Sequence, residues 1–508
     1  MTSNKLPPGL VLWPAAGRHQ RIAVLISDIH CTDCTVGDQT ADEADWKNFF
    51  TELGQKLHDS LADDGEVVII LNGDVVDLLR SGRWAAAGVY PWHRNHPRFK
   101  QIVLSIMRKI VMRHSIDPKK HALSSGFFHH LREMVRGFKP AQVTLIPIVG
   151  NHDKELQGLP EVREMYYRRC LGIAADDLSA DYRLWVAKQM GSDAHEPWPV
   201  LPFYYADPSL RLFATHGQWR DDTNSRSTKR WKFRYRWQPQ LWQEEQFRPF
   251  SEPCFGDTIA CGLLSHFIWN AIHRIKKEVI PFARNRSKDD GISRIQRVLG
   301  EMDLYRPSEM AVVRLLDEAK KLDRKDADSL LLFRTVIDQY RKSLWSWLEH
   351  SETFRLAPLK YKFILHLVCI ASWINWIGLN IFLMRMMARK SDSTESVPYS
   401  TLPIFRADYQ SCGFQLHAEG HTHMTMEVDL RNSGRFAHRN YTYVNLGAWR
   451  NRIVQKFDIR RFRLCSKSYR RHSIGRVLIA QNKDRSASSG FGFTLRDITS
   501  WGDRLDKW

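Results

Sequence analysis

Val143-Thr-Leu-Ile-Pro-Ile-Val149 followed by Gly150-Asn151-His152-Asp153 is the stretch on which the fold turns. A short apolar, β-branched run reads as a strand, and a cluster of polar groups straight after a glycine marks where it leaves the core. The same grammar recurs outward in both directions. Upstream, Glu66 to Leu71 ends in Asn72-Gly73-Asp74, and Ile22 to Ser27 ends at Asp28. Downstream, Arg211 to Thr215 ends at His216. Between these runs, residues 42–62 set Trp46, Phe49, Phe50, Leu53, Leu57 and Leu61 at helical spacing, and two further helices are predicted near 98–114 and 121–136. Strands separated by helices give an α/β class. The polar residues all lie just past the C-terminal ends of their strands, the edge at which open α/β sheets bind ligands.

After Asp222 the pattern changes. Residues 226–390 read mostly as helix with basic surfaces, and Ala388 to Ser400 reads as a linker. Strand character returns at Gly413 to Ala418, ahead of Gly420-His421-Thr422-His423, and at Tyr441 to Trp449. The expected organisation is a core in two parts, 1–225 and 405–475, interrupted by a helical insertion with its linker at 226–404, and a flexible C-terminal tail at 476–508.

The chain has 508 residues, 43% of them hydrophobic, and a formal net charge of +19, so it can bury a full core and its surface favours polyanions. Nucleic acid, anionic lipid and phosphorylated small molecules all satisfy that charge. Eight scattered cysteines with one CxxC, Cys31 and Cys34, argue for a reduced cytoplasmic protein without a disulfide framework, and no signal peptide is visible. Phe363 to Met387 is long enough to span a bilayer, which takes about 20 apolar residues. His366, Ser372, Asn375 and Asn380 fall on one half of its helical wheel, so the reading is a buried or surface-lying amphipathic helix, with a peripheral position on an anionic membrane left open.

Collected from the strand ends, the candidate metal ligands are Asp28, His30, Asp74, Asn151, His216, His421 and His423. Carboxylates, imidazoles and an amide oxygen without thiolate suit a divalent first-row metal, manganese first, with iron or zinc as alternatives. Seven ligands exceed one tetrahedral ion but suit two, and two cations about 3.5–4 Å apart need a shared anion such as Asp74. On an extended segment Asp28 and His30 would face one way, as would His421 and His423. Glycines 73, 150 and 420 precede ligands, where a sharp turn is expected.

These blocks resemble the calcineurin-like metallophosphoesterase family, whose pattern is DxH, GDxxD, GNH(D/E), a lone His and GHxH. Here it stands as Asp28-Ile-His30, Gly73-Asp74-Val-Val-Asp77, Gly150-Asn151-His152-Asp153, His216-Gly217 and Gly420-His421-Thr-His423, and Asn445-Leu-Gly-Ala-Trp449 resembles the family's closing strand. The resemblance covers about half the chain. It implies a β-sandwich of two mixed sheets flanked by helices, with one metal on Asp28, His30, Asp74 and His423 and the other on Asp74, Asn151, His216 and His421. The activity it implies is hydrolysis of a phosphoester or phosphoanhydride by a metal-bridging hydroxide. His152 is expected to protonate the leaving oxygen with Asp153 orienting its ring, and Asp77 to act as an outer acceptor.

For the substrate, Trp231 to Trp237 alternates aromatic and cationic residues, a pattern for stacking bases or sitting at a lipid interface. A helical insertion between the lone His and GHxH also resembles the UDP-diacylglucosamine pyrophosphatases of lipid A synthesis, which implies a lipid-linked or nucleotide pyrophosphate. A nuclease is the rival, on the net charge and the cluster Arg450, Arg452, Lys456, Arg460, Arg461, Arg463, Arg470 and Arg471, although no recognisable nucleic-acid module is present. A non-catalytic scaffold is the reading from a different class.

Overall fold

In the computed structural model of the chain, the residues described are 10–14, 20–37, 41–139, 142–221, 223–226, 242–243, 247–282, 291–306, 309–323, 325–373, 412–429, 442–455, 469–482 and 491–498. The fold is α/β. Its described strands are β1 (Arg21–Ile26), β2 (Glu66–Asn72), β3 (Val143–Ile148), β4 (Tyr204–Asp207), β5 (Leu212–Thr215), β6 (Tyr305–Arg306), β7 (Leu416–Glu419), β8 (Thr425–Asp429), β9 (Thr442–Gln455), β10 (Tyr469–Asn482) and β11 (Phe491–Ile498).

They form two mixed sheets that share β9. In the first, β3, β2 and β1 run parallel, β1 pairs antiparallel with β10, and β10 pairs with both β9 and β11. In the second, the early residues of β9 pair with β7 and β8, β7 runs parallel to β5, and β5 pairs antiparallel with β4. Side chains on a strand alternate between faces, and the core follows that alternation. Ala23, Leu25, Val68 and Ile70 of the first sheet meet Leu212, Ala214, Leu416 and Val444 of the second in one buried cluster. The neighbours Ile22, Val24, Val67 and Ile69 face the other way, onto Trp46, Phe50, Ile106 and Phe127. Those aromatics and aliphatics come from helices Glu43–Ser60, Phe99–His114 and Phe127–Arg136, the first started by the Asp42 carboxylate accepting the Asp45 N–H at 2.9 Å.

Among the described residues, the helices from 255 to 368 of the block between β5 and β7 build a separate hydrophobic cluster that includes Ile295, Leu299, Val313, Leu316, Val336 and Leu344. The block also reaches back into the sheet. Its strand β6 pairs parallel with β9, Tyr305 beside Ile453 and Arg306 beside Val454.

Three sequence expectations change. The tail expected from residue 476 is instead the second half of β10 followed by β11, registered from Gly475 opposite Ile498 to Asn482 opposite Phe491. Val477, Leu478 and Ala480 are buried, which the arginines just before them concealed. Second, Arg450 belongs to no surface cluster: it is 2% exposed and bonded to Asp303. Third, the stretch 363–387 is described only to residue 373, within helix Leu359–Trp373, where Ile364, Leu365 and Val368 are buried while Leu359, Phe363 and Ile370 are exposed. The rest of that stretch, and the alternating segment 231–237, lie outside the described residues. Among the described residues no helix is long and apolar enough to cross a membrane.

Candidate metal centre

Parallel pairing of β1, β2 and β3 sets their C-terminal ends side by side, and the loops beyond them stay laced together. The Asp28 N–H donates to Gly73 O (3.1 Å), the His30 N–H to Asp74 O (2.9 Å), and the His152 N–H to the Asp74 carboxylate (2.8 Å). From the second sheet, the Gly420 N–H donates to His216 O at 2.9 Å, and the His421 N–H reaches both Asp28 carboxylate oxygens at 3.0 and 3.1 Å. All seven candidate ligands are thereby brought to one place.

At five of them the backbone is not extended. Asp28, His30, Asp74, His421 and His423 all have φ between 52° and 70°, the left-handed region, so the two Asp/His-x-His pairs converge through coiled loops rather than through strand alternation. Each such residue costs about 1–2 kcal/mol. Five of the seven candidate ligands thus carry backbone strain, which persists only where surrounding contacts over-determine the geometry. The glycines also differ from expectation. Gly73 does turn, with φ +83°, but Gly150 and Gly420 serve close approach. A Cβ on Gly150 would lie 2.2 Å from Asp74 Oδ1, and one on Gly420 would lie 2.2 Å from Asp28 Oδ2.

Two donor sets result, with Asp74 in both. In the first, His30 Nε2 is 2.9 Å from His423 Nε2 and 3.8 Å from Asp28 Oδ1 and from Asp74 Oδ2, and His423 Nε2 is 3.4 Å from Asp28 Oδ1. In the second, His216 Nε2 lies 3.2 Å from Asp74 Oδ2 and 3.2 Å from Asn151 Oδ1, which is itself 2.9 Å from His421 Nδ1. Donor atoms around an ion bound at about 2.1 Å stand roughly 3–3.8 Å apart, and both sets fall near that range. The outer nitrogens are fixed as well. His216 Nδ1 donates to Asn72 O (2.9 Å) and His30 Nδ1 to Asp77 Oδ2 (3.0 Å), so in each ring Nε2 is the nitrogen turned to the centre.

The site's electrostatics call for positive charge. Burial alone would keep His216 neutral, yet Asp74 and Asp28 beside it raise its pKa to about 10. Burial likewise opposes ionisation of Asp74, but His216, His152 and His30 outweigh it and hold the carboxyl well below its usual range. A metal ion would supply the charge that protonated His216 supplies here. The buried His and Asp groups can therefore hold metal, and the residues present fit it.

His152 sits beside this centre, its ring 4.8 Å from that of His30. The carboxylate at its Nδ1 is Asp77, at 2.9 Å, close enough for an ion pair though not aligned as a hydrogen bond. Asp153, expected to orient His152, instead accepts the backbone N–H groups of Gly150 (2.6 Å) and Val75 (3.2 Å). Burial, with Asp74 nearby, pushes the Asp153 pKa up to about 8. Its place is a brace between the β2 and β3 loops, and Asp77 carries both histidines.

Asp221 carries no role in the sequence expectations. It follows a short turn after His216, and its Oδ2 lies 3.1 Å from His421 Nε2, opposite the nitrogen that faces Asn151. Burial resists its ionisation, but the His421 contact and the Asn224 and Thr223 hydrogen bonds hold it well below the usual carboxylate range. In the sequence it stands in the Asp221-Asp222 pair that follows His216-Gly217. Compared with family models, with curated proteins and with solved structures, the chain matches none.

Proposed function

We propose that the protein is a metal-dependent phosphoric ester hydrolase with a binuclear centre, cleaving a phosphoester or phosphoanhydride. The observation that carries this reading is the pair of donor sets sharing Asp74, with a histidine outside both sets beside them. Asp28, His30, Asp74 and His423 would hold one ion, and Asp74, Asn151, His216 and His421 the other, manganese being the first choice. Bound there, two divalent cations supply an activated water and neutralise charge on phosphoryl oxygens. The two facing sheets accord with the metallophosphoesterase architecture that the sequence resemblance implies.

The chain's own groups divide the remaining work. Asp77 accepts a hydrogen bond from the Nδ1–H of His30 and so fixes that ring's orientation. The same carboxylate stands at Nδ1 of His152, leaving Nε2 as the nitrogen that exchanges a proton with the leaving oxygen. His152, His421, His423 and Asp221 are the least enclosed members of the group, so substrate approaches from their side. The substrate that the sequence resemblance favours is a lipid-linked or nucleotide pyrophosphate, with a DNA or RNA phosphodiester as the alternative; Arg450, one of the eight cations on which the nuclease reading drew, is withdrawn into the core.

The test is hydrolysis of a chromogenic aryl phosphodiester and monoester with manganese, followed by a panel of nucleotide-sugar lipid, single-stranded DNA, cyclic dinucleotide and phosphopeptide. His152→Gln is expected to keep its metal and lose turnover by about 100-fold or more. Unchanged turnover removes His152 from the chemistry, and preferential cleavage of DNA replaces the pyrophosphate preference.

A further inference from the structure

The helical block between β5 and β7 does more than cover the core. Asp303, in the turn Met302–Leu304 of that block, stands between two arginines of the core. Its Oδ1 is 2.9 Å from Arg80 Nε, and its Oδ2 and main-chain oxygen each accept from Arg450 Nη2 at 2.7 Å. Arg80 Nη1 in turn lies 3.4 Å from Asp77 Oδ2 and makes no hydrogen bond. Asp77 is the carboxylate at Nδ1 of both His30 and His152. The result is an alternating row of charges, Arg450, Asp303, Arg80, Asp77, ending on the two histidines. Arg450 and Asp77 are almost wholly enclosed, and Arg80 and Asp303 expose about a tenth of their side chains (11% and 13%), so water screens the row little.

We propose that Asp303 is a positioning residue of the site: it holds Arg80 against Asp77, and through that carboxylate sets the orientation of His30 and His152. The inference rests on the reading of the site as a metal centre. It also assigns the helical block a part in building that centre.

Two features make Asp303 suited to this. It lies two residues before Tyr305, whose strand β6 is registered on β9, and Met302, Leu304 and Tyr305 are all buried, so its backbone is clamped to the sheet on which Arg450 lies. Asp77 already receives the Arg80 and Leu79 backbone N–H groups on Oδ1, at 2.9 and 3.2 Å. Its Oδ2 has His30, and Arg80 is the cation standing beside that oxygen. Removing the charge that anchors Arg80 frees the guanidinium to turn away or to draw Asp77 with it. Either motion moves the acceptor on which His30 relies.

Asp303→Asn keeps the size of the side chain and its contact with Arg450, and Arg80→Met removes the link while leaving Asp303 on Arg450. The experiment is manganese titration by calorimetry of the full chain, for wild type, each single variant and the double variant, with kcat and KM measured alongside. Each single variant is expected to bind manganese roughly 10–100-fold more weakly and to lose kcat while KM changes little, and Asp303→Asn should add nothing further once Arg80 is Met. Wild-type manganese affinity in Arg80→Met, or losses that simply multiply in the double variant, overturns the proposal. A wild-type protein that binds no manganese refutes the metal centre itself. Wild-type binding with unaffected variants refutes only the role of Asp303.

Discussion

Replacing Gly150 by alanine adds one methyl group where the centre leaves no room for it. The new Cβ would stand 2.2 Å from Asp74 Oδ1 and 2.4 Å from the Asp74 nitrogen, where real Cβ atoms do not come closer than 3.0 Å. Something must therefore move by about 0.8 Å, and the nearest atoms are those of the carboxylate shared by both donor sets. Gly150 does not have the positive φ that would strain alanine itself, so the effect reports proximity alone. Overpacking of this kind costs about 1–3 kcal/mol in stability. A misplacement near 1 Å at a reacting centre costs about 100-fold in rate. Gly150→Ala is expected to fold, to bind both ions more weakly in parallel, and to lose about two orders of magnitude in turnover. Gly158→Ala is the control, since nothing lies within 4 Å of its added Cβ. Metal titration and hydrolysis rates on both variants decide the matter. Wild-type metal affinity in Gly150→Ala would refute the placing of Asp74 at the junction.

Two further outcomes follow from buried charges around the site. Burial alone would raise the Glu419 carboxyl, but Arg220, His417 and Tyr443 hold it down to about 2 from its usual 4.5. Stability from this group is present above about pH 4.5 and is lost as pH falls through about 2. With the 2% exposed Glu419, that is about 3 kcal/mol. Denaturation curves of wild type and Glu419→Gln should therefore converge as pH falls from 4.5 towards 2, and a constant gap would contradict the assignment. Lys154 Nζ, 1% exposed, pairs with Asp257 Oδ2 at 2.5 Å and joins the β3 loop to the helical block. Lys154→Met leaves that carboxylate buried without its cation and should cost about 3–5 kcal/mol in urea unfolding. A loss below about 1 kcal/mol would show that Asp257 finds another partner.

The candidate ligands were legible because polar groups at strand ends have few structural reasons to be there. Asp28, Asp74 and His216 each close an apolar run, and the sheet order then carries them together. The left-handed backbone at Asp28, His30, Asp74, His421 and His423 was not legible, since it depends on hydrogen bonds between loops far apart in sequence. Nor could sequence decide whether Asp77 or Asp153 meets His152, two carboxylates in neighbouring blocks whose difference lies in how the β2 and β3 loops interlock. Arg450 looked like surface charge because its partner, Asp303, sits 147 residues away. The strands β10 and β11 were hidden by flanking arginines and glycines, and pairing with β1 on one side and β11 on the other gives the run from Val477 to Ala480 its place.

The central claim is that distant carboxylate, imidazole and amide groups share Asp74 between two cations. Equilibrium dialysis of the purified chain against manganese, with elemental analysis of the retained ion, tests it directly. Two ions per chain are expected for wild type, with both sites weakened together in Asp74→Ala. An absence of bound metal in wild type, or an Asp74→Ala variant that still retains two ions, would contradict it.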